Sequence, residues 1–288
     1  MSIKKYTKGI THGGIFHADD VFSTALLKII YPNILIKRVN TIPQNIDNST
    51  IVYDIGLGNF DHHQPDALFR KNGVKYSSFG LLWQKYGKYL IGENWECFDN
   101  GYVLPIDIQD NGGELNPLSN AINAFNPSWN EDKSTDESFD EAVSIAMIIL
   151  KKLFNKYKLE QFASEHISKI MKEFGNSPII ILDKFVPWKK EVCESENALY
   201  VIYPSMRGCY NAQAVPTEYG KKTCRLPFPE TWLRNSPEAL TFIHPERYLI
   251  SADKIDSAEM LCQLSISQSK VCKFTTTYIP QIESEQTE

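Results

Sequence analysis

The first half of the chain alternates short apolar runs with helical patterns, and this alternation limits the folds open to it. Strand-like runs lie around Gly9 and at 34–39 and 51–55, while helical patterns follow the first run and occupy 77–87. Such alternation is typical of βαβ units on a mainly parallel sheet flanked by helices. In open sheets of this class, ligands bind beyond the carboxyl ends of the strands. The sequence therefore predicts an α/β fold with its site in the polar segments that follow the strands.

The middle of the chain predicts a loop and then two helices. Residues 112–136 are rich in Asn, Pro, Ser and acidic residues, which predicts a long surface loop. Before it, an apolar strand-like run at 106–108 leads into an Asp-Asn-Gly turn. Ser138 and Glu141 form a potential capping box for one helix, and 159–174 has the pattern of a second.

A Gly-Asn-Ser-Pro break at 175–178 suggests a domain boundary. We expect a catalytic domain at 1–176 and a smaller α/β domain at 177–288 that binds or caps the substrate. Within the second domain, strands are predicted at 179–182 and 199–203 and a helix at 257–264, and the tail after Pro280 is predicted to fray.

Four of the six histidines fall into two carboxylate-rich segments, Thr11–Asp20 and Val52–Gln64, each next to a predicted strand end. Imidazole and carboxylate ligands suit Mn²⁺, Mg²⁺, Fe or Zn²⁺, and the six cysteines form no CxxC pair that would suit a thiolate zinc site. Several carboxylates in one crevice would repel one another unless cations neutralised them. We therefore expect a metal site built from His12, His17, Asp19, Asp54, His62 and His63.

Some of these residues also fit simpler structural roles. Asp19 or Asp20 can serve as the N-cap of the first helix. His166, alone on a helical pattern, is expected to be structural. At the end of a strand, Asp54 could bridge two cations about 3.5–4 Å apart, which is the spacing of a two-metal hydrolase.

Charge and hydropathy exclude several classes of protein. The net charge is −5, and an acidic block at 91–144 has twelve Asp and Glu against one Lys, so no basic nucleic-acid footprint covers the whole chain. The longest apolar run, 143–150, is too short to span a bilayer, and no secretory signal is visible. We expect no membrane partner and an intracellular, cytoplasmic location, with nucleus or mitochondrion as alternatives in a eukaryote.

Taken together, the segments resemble the melanocyte proliferating gene family of metal-dependent hydrolases, which is itself similar to the DHH phosphoesterases. The first three motifs, THG…FHADD, VYDIG and FDHHQ, are specific in combination. The resemblance continues through Tyr76–Leu81, Ile106–Asp107 with Asp110–Gly112, Pro187–Lys189, Ala212–Pro216 and Arg225–Pro229.

The resemblance implies a DHH-like N-terminal domain that holds two divalent metal ions, Mn²⁺ or Mg²⁺. One ion would be held by His12, Asp19 and Asp54, and the other by Asp20, Asp54, His62 and Asp110. Asp61 would orient His62, and His63 would contact phosphate or protonate the leaving oxygen. His17 has no direct DHH counterpart, so it is left open between metal ligand and phosphate donor.

The sequence departs from the family near its C-terminal histidine, His244. Ile250 and Ser251 stand at the places of a Gly-Gly turn, and Asp253 and Ile255 stand where basic residues are usual. Backbone amides approach phosphate less closely past an Ile side chain. Either the substrate is gripped differently, by Arg225, Arg247 or Lys254, or the activity is altered.

Three functional hypotheses follow. Because family members resemble 3′ to 5′ exonucleases acting on RNA, the first is a two-metal phosphodiesterase that removes nucleotides from RNA or short oligonucleotides. The second is a hydrolase of a small phosphate compound, such as pyrophosphate or a dinucleotide, which the acidic net charge favours. The third is a metal-binding regulator that has lost catalysis. A homodimer is left open.

Overall fold

A three-stranded parallel sheet forms the first part of the fold in the computed structural model, which describes residues 4–174 and 176–269. Its strands are β1 (Lys8–His12), β2 (Leu35–Val39) and β3 (Thr50–Val52), in the order β2-β1-β3. In the strand register, Lys8 pairs with Leu35 of β2 on one side of β1 and with Thr50 of β3 on the other. Because the chain leaves β1 first to one side and later to the other, a crevice opens beyond the carboxyl end of the central strand.

Helices cover this sheet and contain most of the remaining chain. They are α1 (Ala18–Ile30), α2 (Ser78–Ile91), α3 (Trp95–Phe98), α4 (Leu104–Asp110), α5 (Pro117–Asn123) and α6 (Thr135–Phe174). Aromatic side chains dominate the core between them; Phe16, Phe22, Phe79 and Trp83 are at most 1% exposed. Each such side chain contributes about 1.5–3 kcal/mol by leaving water.

Helix α6 corrects the prediction of two helices. Its 40 residues contain neither Gly nor Pro, so nothing interrupts the backbone hydrogen bonds across the polar stretch that separated the two patterns. The helix also begins earlier than predicted, because Ser134, and not Ser138, accepts the amide of Asp136 through its Oγ at 3.2 Å.

Two other predictions are wrong for local reasons. The strand-like run at 106–108 lies in α4, where Pro105 occupies the first turn and Ile106 and Asp107 are both buried. The predicted loop at 112–136 contains α5, whose start is capped by Asn116 accepting the amide of Leu118 at 2.8 Å.

A second sheet organises the later part of the chain. It consists of β4 (Ile179–Ile181), β5 (Tyr200–Pro204), β6 (Tyr210–Ala214), β7 (Phe242–Ile243) and β8 (Leu249–Ala252), with short α7 (Lys189–Val192) and α8 (Ile255–Gln268). The order is β4-β5-β6-β8-β7; β4 and β5 are parallel and the other pairs antiparallel. Alternation along β5 places Tyr200 and Ile202 in the core that includes α8, and Val201 and Tyr203 in the core around Trp188.

The chain divides into two compact units, Met1–Gln161 and Phe162–Glu288. This division falls inside α6, earlier than the boundary predicted after residue 176, because one helix supplies residues to both units. Gly175 and the predicted frayed tail after Pro280 lie outside the described residues. The predicted class, a parallel sheet flanked by helices followed by a smaller α/β unit, is confirmed. No helix within the described ranges is both long and apolar enough to cross a membrane.

Candidate metal centre

The strand ends bring the two histidine-rich segments together. His12 is the last residue of β1, and Asp54 follows the end of neighbouring β3 by two residues. Their side chains meet, with His12 Nε2 3.3 Å from Asp54 Oδ2. The parallel sheet thus positions an imidazole and a carboxylate side by side, as the sequence predicted.

The loop after β3 needs unusual backbone angles. Asp54, Gly56 and Leu57 have φ values of 55°, 88° and 57°. At Gly56 the positive φ disfavours any side chain, and an added Cβ would also lie 1.8 Å from Ile42 Cδ1. Asp is one of the few residue types that tolerate this left-handed region. This tight path accompanies the placement of the Asp54 carboxylate beside His12.

The first turn of α1 supplies two more carboxylates. The N-cap is His17, which corrects the expectation that Asp19 or Asp20 caps this helix. The amide of His17 donates to Asp20 Oδ1 at 3.0 Å, while Asp20 Oδ2 lies 3.2 Å from His12 Nε2. Asp20 therefore supports the helix start with one oxygen and faces the imidazole of His12 with the other.

Three linked groups of side chains could each hold a metal ion, with ligand atoms within 4.8 Å of one another. They are His12 with Asp20 and Asp54; His17 with Asp19 and Asp110; and Asp54 with Asp61, His62 and His63. Asp54 belongs to two of the groups. The contact between His62 Nε2 and Asp110 Oδ2, at 2.9 Å, joins the third group to the second.

All nine residues predicted as metal ligands or catalytic groups take part in these groups, but the pairing differs from the implied ligand sets. Asp20, and not Asp19, accompanies His12 and Asp54. Asp19 joins His17 and Asp110, which gives His17 the position of a ligand. Adjacent residues of α1 point about 100° apart, so Asp19 and Asp20 face different neighbours.

The buried oxygen atoms fit a cationic ligand. Both oxygens of Asp19 and the Oδ1 atom of Asp54 are buried and have no hydrogen-bond partner within the described residues. Buried carboxylates are normally paired or bound to metal. Burial, followed by repulsion from Asp54, raises the pKa of Asp19 well above its ordinary value. Divalent cations would remove both penalties, so the donor set fits them.

The side chain of Asp61 contacts the ring of His63, whereas the family resemblance implied that it orients the ring of His62. Its Oδ1 contacts His63 Nδ1 at 2.6 Å and accepts the amide of His62 at 2.7 Å, and its Oδ2 accepts the amide of Leu57 at 2.6 Å. Burial opposes ionisation, yet these hydrogen bonds lower the pKa of Asp61. Asp61 thus orients the ring of His63, whereas the ring of His62 contacts Asp54 and Asp110.

The three predicted substrate-binding residues lie in the second unit and have local partners. Arg225 donates to the carbonyls of Cys193, Ser195 and Ala198, and Arg247 Nη1 donates to the carbonyl of Phe228 at 3.1 Å. His244 Nδ1 accepts the amide of Glu246 at 3.1 Å. The guanidinium of Arg225 therefore fastens main-chain segments.

The substituted glycine positions are strand residues in this chain. Ile250 is fully buried in β8, opposite Ala212, and Ser251 Oγ donates to Asn211 Oδ1 at 2.8 Å. Ile255 is the first residue of α8. His166, which is expected to have a structural role, has its Nε2 atom 3.3 Å from Asp183 Oδ1.

Sequence reasoning missed a buried ion cluster beside the centre. Arg70 Nε donates to Asp107 Oδ2 at 2.8 Å, and its guanidinium pairs with Asp99. Asp107 also accepts the amide and the hydroxyl of Ser77, at 3.1 and 2.7 Å. Asp107 precedes Asp110 by one turn of α4, so the cluster fixes the helix that presents Asp110. The only signal in the sequence was the Ile106–Asp107 motif, because nothing local marks Arg70.

The family model MYG1_exonuc, described as "Uncharacterised protein family (UPF0160)", matches residues 8–266. The chain belongs to this family. Its MYG1 relatives include the MYG1 protein of Schizosaccharomyces pombe, 28% identical over 271 residues (77% of this chain, 83% of the relative). The MYG1 exonuclease of Homo sapiens is 24% identical over 328 residues (94% and 87%), and the MYG1 protein of Chlamydia trachomatis 26% over 290 (91% and 97%). The predicted family and the predicted hydrolase-class enzyme are confirmed.

Among solved structures, the RecJ of Thermus thermophilus in complex with Mg²⁺ matches with a TM-score of 0.29 and 12% identity. The match covers 90% of this chain and 48% of RecJ, so the MYG1-family chain spans about half of that protein.

Metal binding to this MYG1-family centre is expected to release protons. Hydrogen bonds to Asp20 and then Asp54 raise the pKa of His12 to about 10, and the contact with Asp110 raises the pKa of His62 against the effect of burial. A ligand imidazole must be neutral, so at least about one proton, that of His12, should leave at pH 7.5 when Mn²⁺ binds. Titration calorimetry in buffers of different ionisation enthalpy measures the number.

The number of protons released should depend on the pH and on the presence of His12. The pKa of His12 in the folded protein is raised to about 10. The proton that His12 contributes to the release is therefore lost as the pH rises through that value. His12→Asn should lower the number by about one proton, while His166→Ala, in the second unit, should leave it unchanged. A buffer-independent enthalpy for the wild type would contradict the expectation.

Proposed function

We propose that this chain is a metal-dependent phosphodiesterase that removes nucleotides from the 3′ end of RNA or short oligonucleotides. The observation that carries the proposal is the linked set of three ligand groups, which share Asp54 and contain buried carboxylate oxygens without hydrogen-bond partners. The name exonuclease, given to the human, rat and mouse relatives, supports the same reaction class.

Two Mn²⁺ or Mg²⁺ ions are the proposed cofactors. When bound, they would supply charge that neutralises a phosphoryl group and favours hydroxide formation near neutral pH. Oxygen and imidazole donors suit these ions, and no cysteine belongs to the groups. The shared carboxylate of Asp54 is suited to lie between two cations.

The remaining side chains are proposed to bind and orient the substrate. Asp61 holds His63 through Nδ1, which leaves the Nε2 atom of an exposed ring to face a phosphate or leaving oxygen. The crevice that contains these groups has a volume of about 400 Å³. This is enough for a phosphodiester and part of one nucleotide.

The test is an RNA 12-mer labelled at its 5′ end, incubated with metal-free protein and with protein loaded with Mn²⁺ or Mg²⁺. We expect a ladder shortened from the 3′ end in the presence of metal and none with EDTA. Asp54→Asn is the catalytic control. Absence of cleavage by the loaded wild type would refute the nuclease assignment.

A second candidate is a hydrolase of a small phosphate compound, such as pyrophosphate or a dinucleotide. Among the described residues that line the crevice there is no Lys or Arg, so it offers no groove for a long polyanion. Phosphate release from such compounds, without cleavage of RNA, would favour this candidate. Metal binding without turnover on any substrate would favour a regulatory protein.

The proposed setting is a reducing compartment: the cytoplasm or, in a eukaryote, the nucleus or mitochondrion. The five cysteines in the described ranges are all free, including the exposed Cys97. Free thiols of this kind are usual in such compartments.

A further inference from the structure

A second cavity adjoins the metal centre within the first unit. It has a volume of about 240 Å³ and shares His17, Asp19 and Asp110 with the crevice of the centre. Its opposite wall is formed by Ser119 and Asn123 of α5, and Ile106 and Ala18 add apolar surface. A group in this cavity would therefore lie next to a phosphate held at the centre.

The walls are held together by specific hydrogen bonds. Gln109 joins α4 to α5 by accepting the amide of Asn116 at 2.5 Å and donating to Asn120 Oδ1 at 2.8 Å. Asn126, just after α5, accepts the amide of Phe16 at 3.0 Å and donates to its carbonyl at 2.8 Å. These bonds fix α5 against the segment that leads into α1. The walls of the cavity are thus joined by hydrogen bonds within the folded unit.

Two polar atoms of this cavity lack partners. Ser119 is 1% exposed, and its Oγ has no hydrogen-bond partner within the described part of the chain; the same holds for the buried Asn123 Oδ1. Buried polar atoms are normally satisfied, so an unpaired pair that lines a cavity indicates a ligand with complementary groups.

The size and lining select one part of a nucleotide. Drug-sized ligands occupy pockets of about 300–1,000 Å³, so this cavity suits a smaller group. No Phe, Tyr or Trp stands among the described lining residues, whereas bases are usually bound by aromatic stacking. A ribose has hydroxyls that donate and accept, and C–H faces that pack on Ile106 and Ala18.

We infer that this cavity binds the ribose beside the scissile phosphate, and that Ser119 and Asn123 recognise its hydroxyls and thereby select RNA over DNA. The inference rests on the proposed function, whose substrate it makes more specific. The 2′-hydroxyl is the group by which proteins distinguish the two nucleic acids. Ser119 and Asn123 are specificity-determining residues, separate from the metal ligands.

The experiment compares four substrates: the RNA 12-mer, DNA of the same sequence, RNA with one 2′-deoxynucleotide at the 3′ end, and bis(p-nitrophenyl) phosphate, which has no sugar. For the Mn²⁺-loaded wild type we expect faster cleavage of RNA than of the deoxy-containing substrates. Ser119→Ala should reduce kcat/KM on RNA about tenfold, the usual effect of one lost hydrogen bond at a polar site. Cleavage of DNA and of the sugar-free ester should stay unchanged.

Ser138→Ala is the matched control. Ser138 is also fully buried with an unpartnered Oγ, but it lies in α6 and does not line the cavity. Its variant should retain the preference of the wild type for RNA. An equal loss on RNA, DNA and the ester in Ser119→Ala, or no change in the ratio of RNA to DNA, would overturn the inference.

The inference and the proposed function can fail separately. If the wild type hydrolyses none of the four substrates, the proposed function fails, and binding of adenosine and 2′-deoxyadenosine to the Mn²⁺-loaded protein then decides the inference by calorimetry. Tighter binding of adenosine that is lost in Ser119→Ala supports the ribose site. Equal affinity for the two nucleosides, or no binding, refutes it.

Discussion

Asp54→Asn is expected to reduce metal-dependent phosphodiester cleavage by about 10³-fold or more while leaving the fold intact. Asp54 contributes to two of the three ligand groups, and a single electrostatic element of a reaction centre typically accounts for 10²–10³ in rate. The amide of Asn carries no charge, so the affinity for Mn²⁺ should fall with the rate. Initial rates and calorimetric metal titration measure the two effects.

The choice of Asn separates ligand loss from backbone strain. Asp54 has a φ of 55°, and Asn is one of the residue types that accept this region, whereas Ala at that position would add a backbone penalty of about 1–2 kcal/mol. Asp66→Asn, at an exposed position of the following loop, is the matched control and should retain full activity. Wild-type affinity for Mn²⁺ in Asp54→Asn would remove Asp54 from the centre.

Arg70→Ala is expected to lower the free energy of unfolding by about 3–5 kcal/mol, the usual effect of removing one partner of a buried ion pair. The guanidinium is the cation for Asp99 and for the fully buried Asp107. Without the guanidinium, neither carboxylate would have a cationic partner. Urea unfolding measures the change in the free energy of unfolding, when the dependence of that free energy on urea concentration is the same for both proteins.

A surface pair provides the comparison for Arg70. Lys88 lies 3.0 Å from Glu93 with both side chains largely exposed, so Lys88→Ala should change stability by less than about 1 kcal/mol. A similarly small change in Arg70→Ala would show that the cluster is relaxed or hydrated in solution.

The effect of Arg70→Ala should also depend on pH. Burial raises the pKa of Asp107 to about 6, so the folded state takes up a proton more readily than the unfolded state as the pH falls below that value. Protonation removes the unpaired charge. The loss of stability should therefore be smaller at pH 5 than at pH 7.5. A deficit that grows on acidification would contradict this account of Asp107.

The parts of the fold that follow from local chemistry could be predicted from the sequence. The run ending at His12 and the helix after it depend on hydropathic period, and both occur as expected. The convergence of His12 and Asp54 could be predicted as well, because parallel strands end at one edge of the sheet. The capping role of His17 was missed because Ser, Thr, Asp and Asn are the usual N-caps, and Asp20 acts here from the third position of the helix.

What could not be predicted depends on contacts between distant segments. Arg70 has its partners 29 and 37 residues away, and no local pattern marks such a cluster. The assignment of Asp20 to His12 and of Asp19 to Asp110 depends on the rotation of α1 about its axis, which a sequence motif does not specify. Arg225 was predicted to bind substrate from its charge, whereas tertiary packing directs it to three carbonyl groups.

The position of Asp20 makes the two neighbouring carboxylates thermodynamically coupled. One of its oxygens holds the amide of His17 and the other faces His12, so loss of Asp20 would loosen the same helical turn that carries Asp19. Effects of Asp19→Asn and Asp20→Asn on metal affinity would then not add, with a coupling energy of about 0.5–3 kcal/mol in a double-mutant cycle. Asp20 both supports the helical turn that carries Asp19 and belongs to a candidate metal group, so single substitutions at this turn would overstate how much each carboxylate contributes alone.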